Sequence, residues 1–158
     1  MSSIRMGRDQ TKTPKTKTPK VYAPPFEKVP RTSPATNGKI RFRFDHIDPD
    51  GDWGWRRLTT GCVQTIGRKL PNLETTTWVE ATASGTVGVK DIPVANIIRA
   101  AQRRLAQMRE HADVGDLWEV RLGNTERLWG VRVGDVCQLL WWDPEHKVCP
   151  STKIGNSN

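Results

Sequence analysis

The sequence predicts an α+β domain: a small antiparallel sheet, made of an N-terminal strand plus three C-terminal strands, packed on two or three helices. Ile40, Phe42 and Phe44 alternate with Arg41 and Arg43, the period-two pattern of a half-buried strand. Apolar residues between 60 and 111 return at spacings of three and four, the period of an amphipathic helix. Residues 118–142 divide into three β-favouring runs. They are separated by Gly123-Asn124-Thr125 and Gly134-Asp135, connections short enough for hairpins only.

The first strand covers 40–44. The acidic run Asp48-Pro49-Asp50-Gly51-Asp52 follows as a tight turn, because Pro and Gly set turn geometry there. Trp53 and Trp55 flank Gly54 as a second short strand. Thr60 opens a short helix with Val63, Ile66 and Leu70 on one face, stopped by Pro71. Thr75, Thr76 or Thr77 caps a second short helix around Trp78 and Val79, and residues 84–88 form a flexible connection. The longest helix is expected over about 92–111. Asp91 serves as its N-cap, Pro93 sits in its first turn, and Val94, Ile97, Ile98, Ala101, Leu105 and Met108 make one apolar stripe. The three final strands are 118–122, 127–133 and 136–142, the last almost wholly apolar and so covered on both faces.

The two turns set a register. Across Gly134-Asp135, Val133 opposes Val136 and Arg127 opposes Trp142. Across residues 123–125, Leu122 opposes Glu126 and Arg121 opposes Arg127. One face then carries Trp118, Val120, Leu128, Gly130, Leu139 and Trp141, with Gly130 leaving space for a tryptophan or the long helix. This face meets Ile97, Ile98 and Leu105 as the main core. The other face carries Glu119, Arg121, Arg127, Trp129 and Trp142. That mixture of cations and aromatics suits a nucleic-acid or acidic-peptide groove; its alternative is a Glu119–arginine pairing with the tryptophans under the N-terminal segment.

Charge is unevenly spread along the 158 residues. Residues 1–39 hold nine Lys/Arg against Asp9 and Glu27, together with six prolines and no tryptophan. Such a stretch buries too little apolar surface to offset chain entropy, and is expected to be a disordered basic Pro/Lys/Thr tail. It includes the repeat Thr11-Lys12-Thr13-Pro14-Lys15 and Thr16-Lys17-Thr18-Pro19-Lys20. The single α+β domain spans 40–150, with a flexible C-terminus at 151–158. No apolar run approaches the length of a membrane span or a signal peptide, so a cytoplasmic protein with no membrane partner is expected. Cys62, Cys137 and Cys149 show no zinc-finger spacing, and the acidic run lacks the distal bidentate Glu of a calcium loop. No metal and no cofactor are expected.

The C-terminal part is the most distinctive: Leu117-Trp118-Glu119-Val120-Arg121-Leu122, Glu126-Arg127-Leu128-Trp129-Gly130, then Leu139-Leu140-Trp141-Trp142-Asp143-Pro144-Glu145-His146-Lys147-Val148. It resembles a small family of uncharacterised bacterial and actinobacterial proteins with a C-terminal WWDPEHKV signature. With Thr77-Trp78-Val79-Glu80 and Ala101-Gln102-Arg103-Arg104-Leu105, the likeness covers residues 40–150. More distantly, the order of a strand, a helical pair and three antiparallel strands resembles the RelE/ParE toxin superfamily.

That resemblance implies a toxin–antitoxin-type toxin module acting as a metal-free, ribosome-dependent endoribonuclease. Ribosome-bound mRNA and a cognate antitoxin-like protein would be its partners, and it would use no cofactor. Arg121 would stabilise the phosphorane, His146 would move the proton and Lys147 would add phosphate affinity, while Arg127, Trp129, Trp142, Arg103 and Arg104 would bind nucleic acid or a partner. The chain departs from the family in lacking a Lys-Lys-Thr ending and in having Tyr22 as its one tyrosine. The residues alone also fit a non-catalytic interaction module for nucleic acid or an acidic protein. In that reading Asp143-Pro144-Glu145-His146 is a strand-ending turn, with Asp143 capping backbone donors and His146 half exposed.

Overall fold

A computed structural model describes residues 37–83 and 88–151. They form an α+β fold with a five-stranded mixed sheet in the order β1-β5-β4-β3-β2. The strands are β1 (Arg41–Arg43), β2 (Val89–Pro93), β3 (Asp116–Arg121), β4 (Arg127–Val133) and β5 (Val136–Asp143). Three helices accompany them: α1 (Thr60–Leu73), α2 (Trp78–Ala83) and α3 (Arg99–Gln107).

The sheet departs from the expected antiparallel four-strand plan at both edges. β1 runs parallel to β5, with Arg41 beside Val136 and Arg43 beside Gln138. β2 is an additional strand, antiparallel to β3 from Val89↔Val120 to Pro93↔Asp116. Ile92 and Pro93 are therefore strand and not the start of the helix expected over 92–111, and Asp91 lies inside β2 and is not its N-cap. The free edge of β3 supplies them with ladder partners, and Pro93 falls at the outer strand, where a missing N–H is tolerated. Ile97 and Ile98 keep extended backbone, so α3 starts at Arg99. Ile98 is one-third exposed and is not a core residue.

Smaller differences follow local chemistry. Trp55–Arg57 is a single 3-10 turn rather than a strand. Pro71 lies inside the last turn of α1, which ends with Glu74 N–H donating to the Leu70 carbonyl at 3.0 Å. α1 opens at Thr60 as expected, and Thr59 caps it by accepting from the Cys62 N–H. Thr77 and Glu80 cap α2 reciprocally: Thr77 N–H donates to Glu80 Oε2, and Glu80 N–H donates to Thr77 Oγ1. The fold begins before residue 40, since Gly38 N–H donates to Asp135 Oδ1 and Val79 N–H donates to Asn37 Oδ1. The rest of the expected tail (residues 1–36), most of the 84–88 connection and residues 152–158 lie outside the described residues.

Both hairpin turns form as expected. Gly134 holds a φ of 60° at the β4–β5 turn, and Arg121 opposes Arg127 across the β3–β4 loop. The β4–β5 register holds from Val133↔Val136 to Gly130↔Leu139 and then slips: Trp129 opposes Trp141, Leu128 opposes Trp142 and Arg127 opposes Asp143. This bulge in β5 sends Trp141 to one face and Trp142 to the other, the reverse of the expected assignment. Gly130 sits at the slip, where a Cβ would lie 2.6 Å from the Gln138 carbonyl oxygen, so it serves the close approach of two strands and not the seating of a tryptophan. Gly130→Ala is expected to cost about 1–3 kcal/mol, read from the urea midpoint, because the obstacle is backbone.

The sheet is covered on both faces, giving two cores where one was expected. On the first face Ile66, Leu70, Leu73, Trp78 and Ala81 pack on Ile40, Val120, Leu128, Leu139 and Trp142. On the second, Ile97, Ala101 and Leu105 pack with Trp53 on Leu117, Trp129, Leu140 and Trp141. Cys137 is fully buried in the first core, and burial pushes its thiol up to about 12.

Candidate functional site

The charged cluster nearest the expected site forms where β2, β3 and β4 meet the turn after β5. Strand alternation points Glu119 of β3 to the same face as Trp129, and its directly opposed neighbour on β2 is Lys90. Glu119 is buried, and three basic side chains converge on its carboxylate: Lys90 Nζ at 3.8 Å, Arg127 Nε at 3.4 Å and His146 Nε2 at 3.3 Å. Arg127 is equally committed elsewhere. Its Nη1 donates to the Gly123 and Glu126 carbonyls and its Nη2 to that of Asn124, so it braces the β3–β4 loop.

Asp143 builds the turn that carries His146. Its Oδ1 accepts from the Lys147 N–H at 2.8 Å, and its Oδ2 accepts from the Val148 N–H at 3.0 Å and from Trp129 Nε1 at 3.2 Å. His146 closes the turn in the left-handed region, at φ 55°. This is the strand-ending turn that the residue types anticipate, with Asp143 capping backbone donors and His146 part-exposed.

The structure thus brings His146 and Arg127 together around Glu119, a partner that the sequence leaves paired with arginines alone. Arg121 is exposed beside Arg127 and donates from Nε to the Gly123 carbonyl at 3.2 Å. Lys147 is exposed and ion-paired with Glu145, whose hydrogen bond raises the lysine above its ordinary value. Other expected contact residues do not face solvent. Trp129 is fully buried in the second core and Trp142 in the first, so the expected cationic and aromatic groove does not exist. The bulge separates the two tryptophans, and α3 covers the face that was read as open.

Arg104 is also a structural residue. Its Nε and Nη2 donate to the two oxygens of buried Asp48, both at 2.6 Å, and Trp141 Nε1 donates to Asp48 Oδ2 at 3.1 Å. Burial pushes the Asp48 carboxyl up, but hydrogen bonds from Arg104, the Asp50 backbone and Trp141 outweigh it and leave the group below its ordinary value. Arg103 points away from this clamp. With Arg99 one turn earlier, and with Ala95 and Gln102, it lines a shallow cleft of about 450 Å³. Among the described residues, no acidic side chain forms an ion pair with Arg99 or Arg103. Gln102 is held by donating to the Ile97 carbonyl at 2.9 Å.

The sequence gives no sign of a second group: His46 converges on the adjacent pair Glu110 and His111, distant from it along the chain, beside a cleft of about 280 Å³. Burial, ahead of the neighbouring His46, lowers the His111 imidazole below its ordinary value. Among the described residues no helix is long and apolar enough to cross a membrane. No family model matches the chain, and neither a curated protein nor a solved structure matches it.

Proposed function

We propose that the chain is an RNA-binding module that grips the phosphate backbone through α3. The observation that carries this reading is the pair Arg99 and Arg103, exposed one turn apart on one cleft and without an acidic partner among the described residues. Two guanidinium groups at this spacing present forked donors to phosphate oxygens. Arg99 opens α3, so the positive end of the helix adds to the field. The nine Lys/Arg of residues 1–39 supply further non-specific attraction for a polyanion. The binding half of the toxin-like reading is retained, with the contact surface moved from the sheet to the helix.

Fluorescence anisotropy with single-stranded RNA at several salt concentrations tests it. Arg99→Ala/Arg103→Ala is expected to weaken binding about equally for different sequences and to reduce the slope of log affinity against log salt by about 1.4. Unchanged affinity and slope would locate binding elsewhere.

A second reading, metal-independent RNA cleavage, is favoured by His146. Its imidazole lies 3.3 Å from the buried Glu119 carboxylate on a left-handed backbone, a conformation that collects at functional sites. Glu119 would orient the ring, His146 would take the 2′-hydroxyl proton as that oxygen attacks phosphorus, Arg121 and Lys147 would hold the phosphate, and the P–O5′ bond would break with the leaving 5′-oxygen taking a proton from solvent. The expected result is ribosome-dependent cutting of mRNA with cyclic phosphate ends, persisting in EDTA, and a rate at least about 10²-fold lower for His146→Ala. Intact ribosome-bound mRNA and unarrested growth on expression would remove cleavage and leave the binding reading standing.

A further inference from the structure

We infer that His46, Glu110 and His111 form a binding site for a divalent transition-metal ion, zinc above all, with an open coordination position facing the cleft. One ligand atom from each residue lies within 4.8 Å of the others. One edge is already short enough for coordination: His46 Nδ1 is 3.0 Å from Glu110 Oε2. Zinc bonds of about 2.0 Å at tetrahedral angles separate ligand atoms by about 3.3 Å, so a small inward movement completes the set. Two imidazoles and a carboxylate select borderline metals over calcium or magnesium, which prefer oxygen alone.

An independent observation points the same way. His111 is buried, its ring stands edge-on to His46 with centroids 5.2 Å apart, and its Nε2 has no hydrogen-bond partner among the described residues. A buried ring nitrogen without a partner carries a desolvation cost that coordination would remove. Asp45 Oδ2 lies 3.8 Å from His46 Nε2, the nitrogen opposite the one facing Glu110, at ion-pair and not hydrogen-bond distance, and Arg43 anchors that carboxylate at 3.1 Å.

The fold preorganises the two halves. His46 stands in the loop after β1, and His111 in the 3-10 turn after α3 (Arg109–His111). The Asp48–Arg104 clamp ties that loop to that helix. Three protein ligands beside a cleft, rather than four in a closed cage, match the arrangement that leaves a place for water or a substrate oxygen.

The test is calorimetric titration of chelator-stripped full-length protein with Zn²⁺, followed by Co²⁺ absorption spectroscopy. One zinc per chain is expected, with tetrahedral cobalt bands and no thiolate charge-transfer band. His46→Ala and His111→Ala should abolish this binding. Glu110→Gln, at a side chain more than half exposed, should weaken it at least about tenfold. Zinc affinity unchanged in Glu110→Gln, a thiolate band, or no binding by the folded wild-type chain would each overturn the site. RNA affinity is read separately, and its loss on changing Arg99 and Arg103 is independent of this result.

Discussion

Trp141→Ala is expected to destabilise the fold by about 3–5 kcal/mol, the largest loss for any single side chain considered. Trp141 is fully buried, its ring lies 5.6 Å from that of Trp53, and its Nε1 donates to the buried Asp48 carboxylate. Truncation would empty the centre of the second core and remove one of the donors that offset the burial of Asp48. Trp141→Phe separates the two effects. It keeps most of the apolar area and removes the donor, so about 1.5–3 kcal/mol should be lost, the range for a hydrogen bond to a charged group. Urea unfolding followed by circular dichroism measures both. A loss below 1 kcal/mol for Trp141→Ala would mean that the β5 bulge does not turn this ring inward.

Arg104→Ala is expected to cost about 3 kcal/mol at neutral pH, since it leaves Asp48 buried with its main counter-charge removed. The value lies at the low end for buried pairs because the Arg104 side chain is about one-third exposed. The loss should depend on pH in a definite direction. Asp48 sits below its ordinary value of 3.8 in the folded chain, so the stability it contributes is present above that value and disappears as pH falls through the lowered one. The gap between wild type and Arg104→Ala should therefore be widest near neutrality and close only as pH falls below 3.8 and through the lowered value, where both come to carry a neutral Asp48. A gap independent of pH would show that Arg104 acts through packing of its stem and not through charge. Because the same clamp aligns His46 with His111, this variant should also bind zinc less tightly.

The parts of the fold legible in the sequence are those decided locally. Gly134-Asp135 and Gly123-Asn124-Thr125 specify their hairpins through turn chemistry, and the register next to each turn follows. The bulge was not legible, because Leu139-Leu140-Trp141-Trp142 is apolar throughout and a strand buried on both faces has no alternation to mark which side is which. Asp91, Ile92 and Pro93 look like a helix start because the spacing from Val94 to Met108 is helical. Their strand state depends on an edge of β3 that no local signal announces.

The candidate sites divide in the same way. His146, Arg127 and Arg103 were legible as chemistry-bearing residue types. The convergence of His146 on Glu119, and of His46 on Glu110 and His111, is made by tertiary contacts between distant segments. Arg104 shows the converse: a helix arginine read as a surface contact is the centre of a buried ion pair, because its acidic partner lies in a loop more than fifty residues away.

The place of β5 between β1 and β4 sets the order in which the chain can fold. Among the described residues β1 is the first strand, and its one neighbour in the sheet is the last, β5. Their pairing must close a loop of nearly a hundred residues, at an entropic cost that the β2–β3–β4–β5 meander, built of nearer neighbours, largely avoids. The meander should therefore assemble first and β1 dock late, leaving the apolar edge of β5 bare in the interval. During synthesis that interval cannot end before Val136–Asp143 has been made, so newly made chains would depend on Arg41–Arg43 reaching that edge before a β5-like strand of another molecule does.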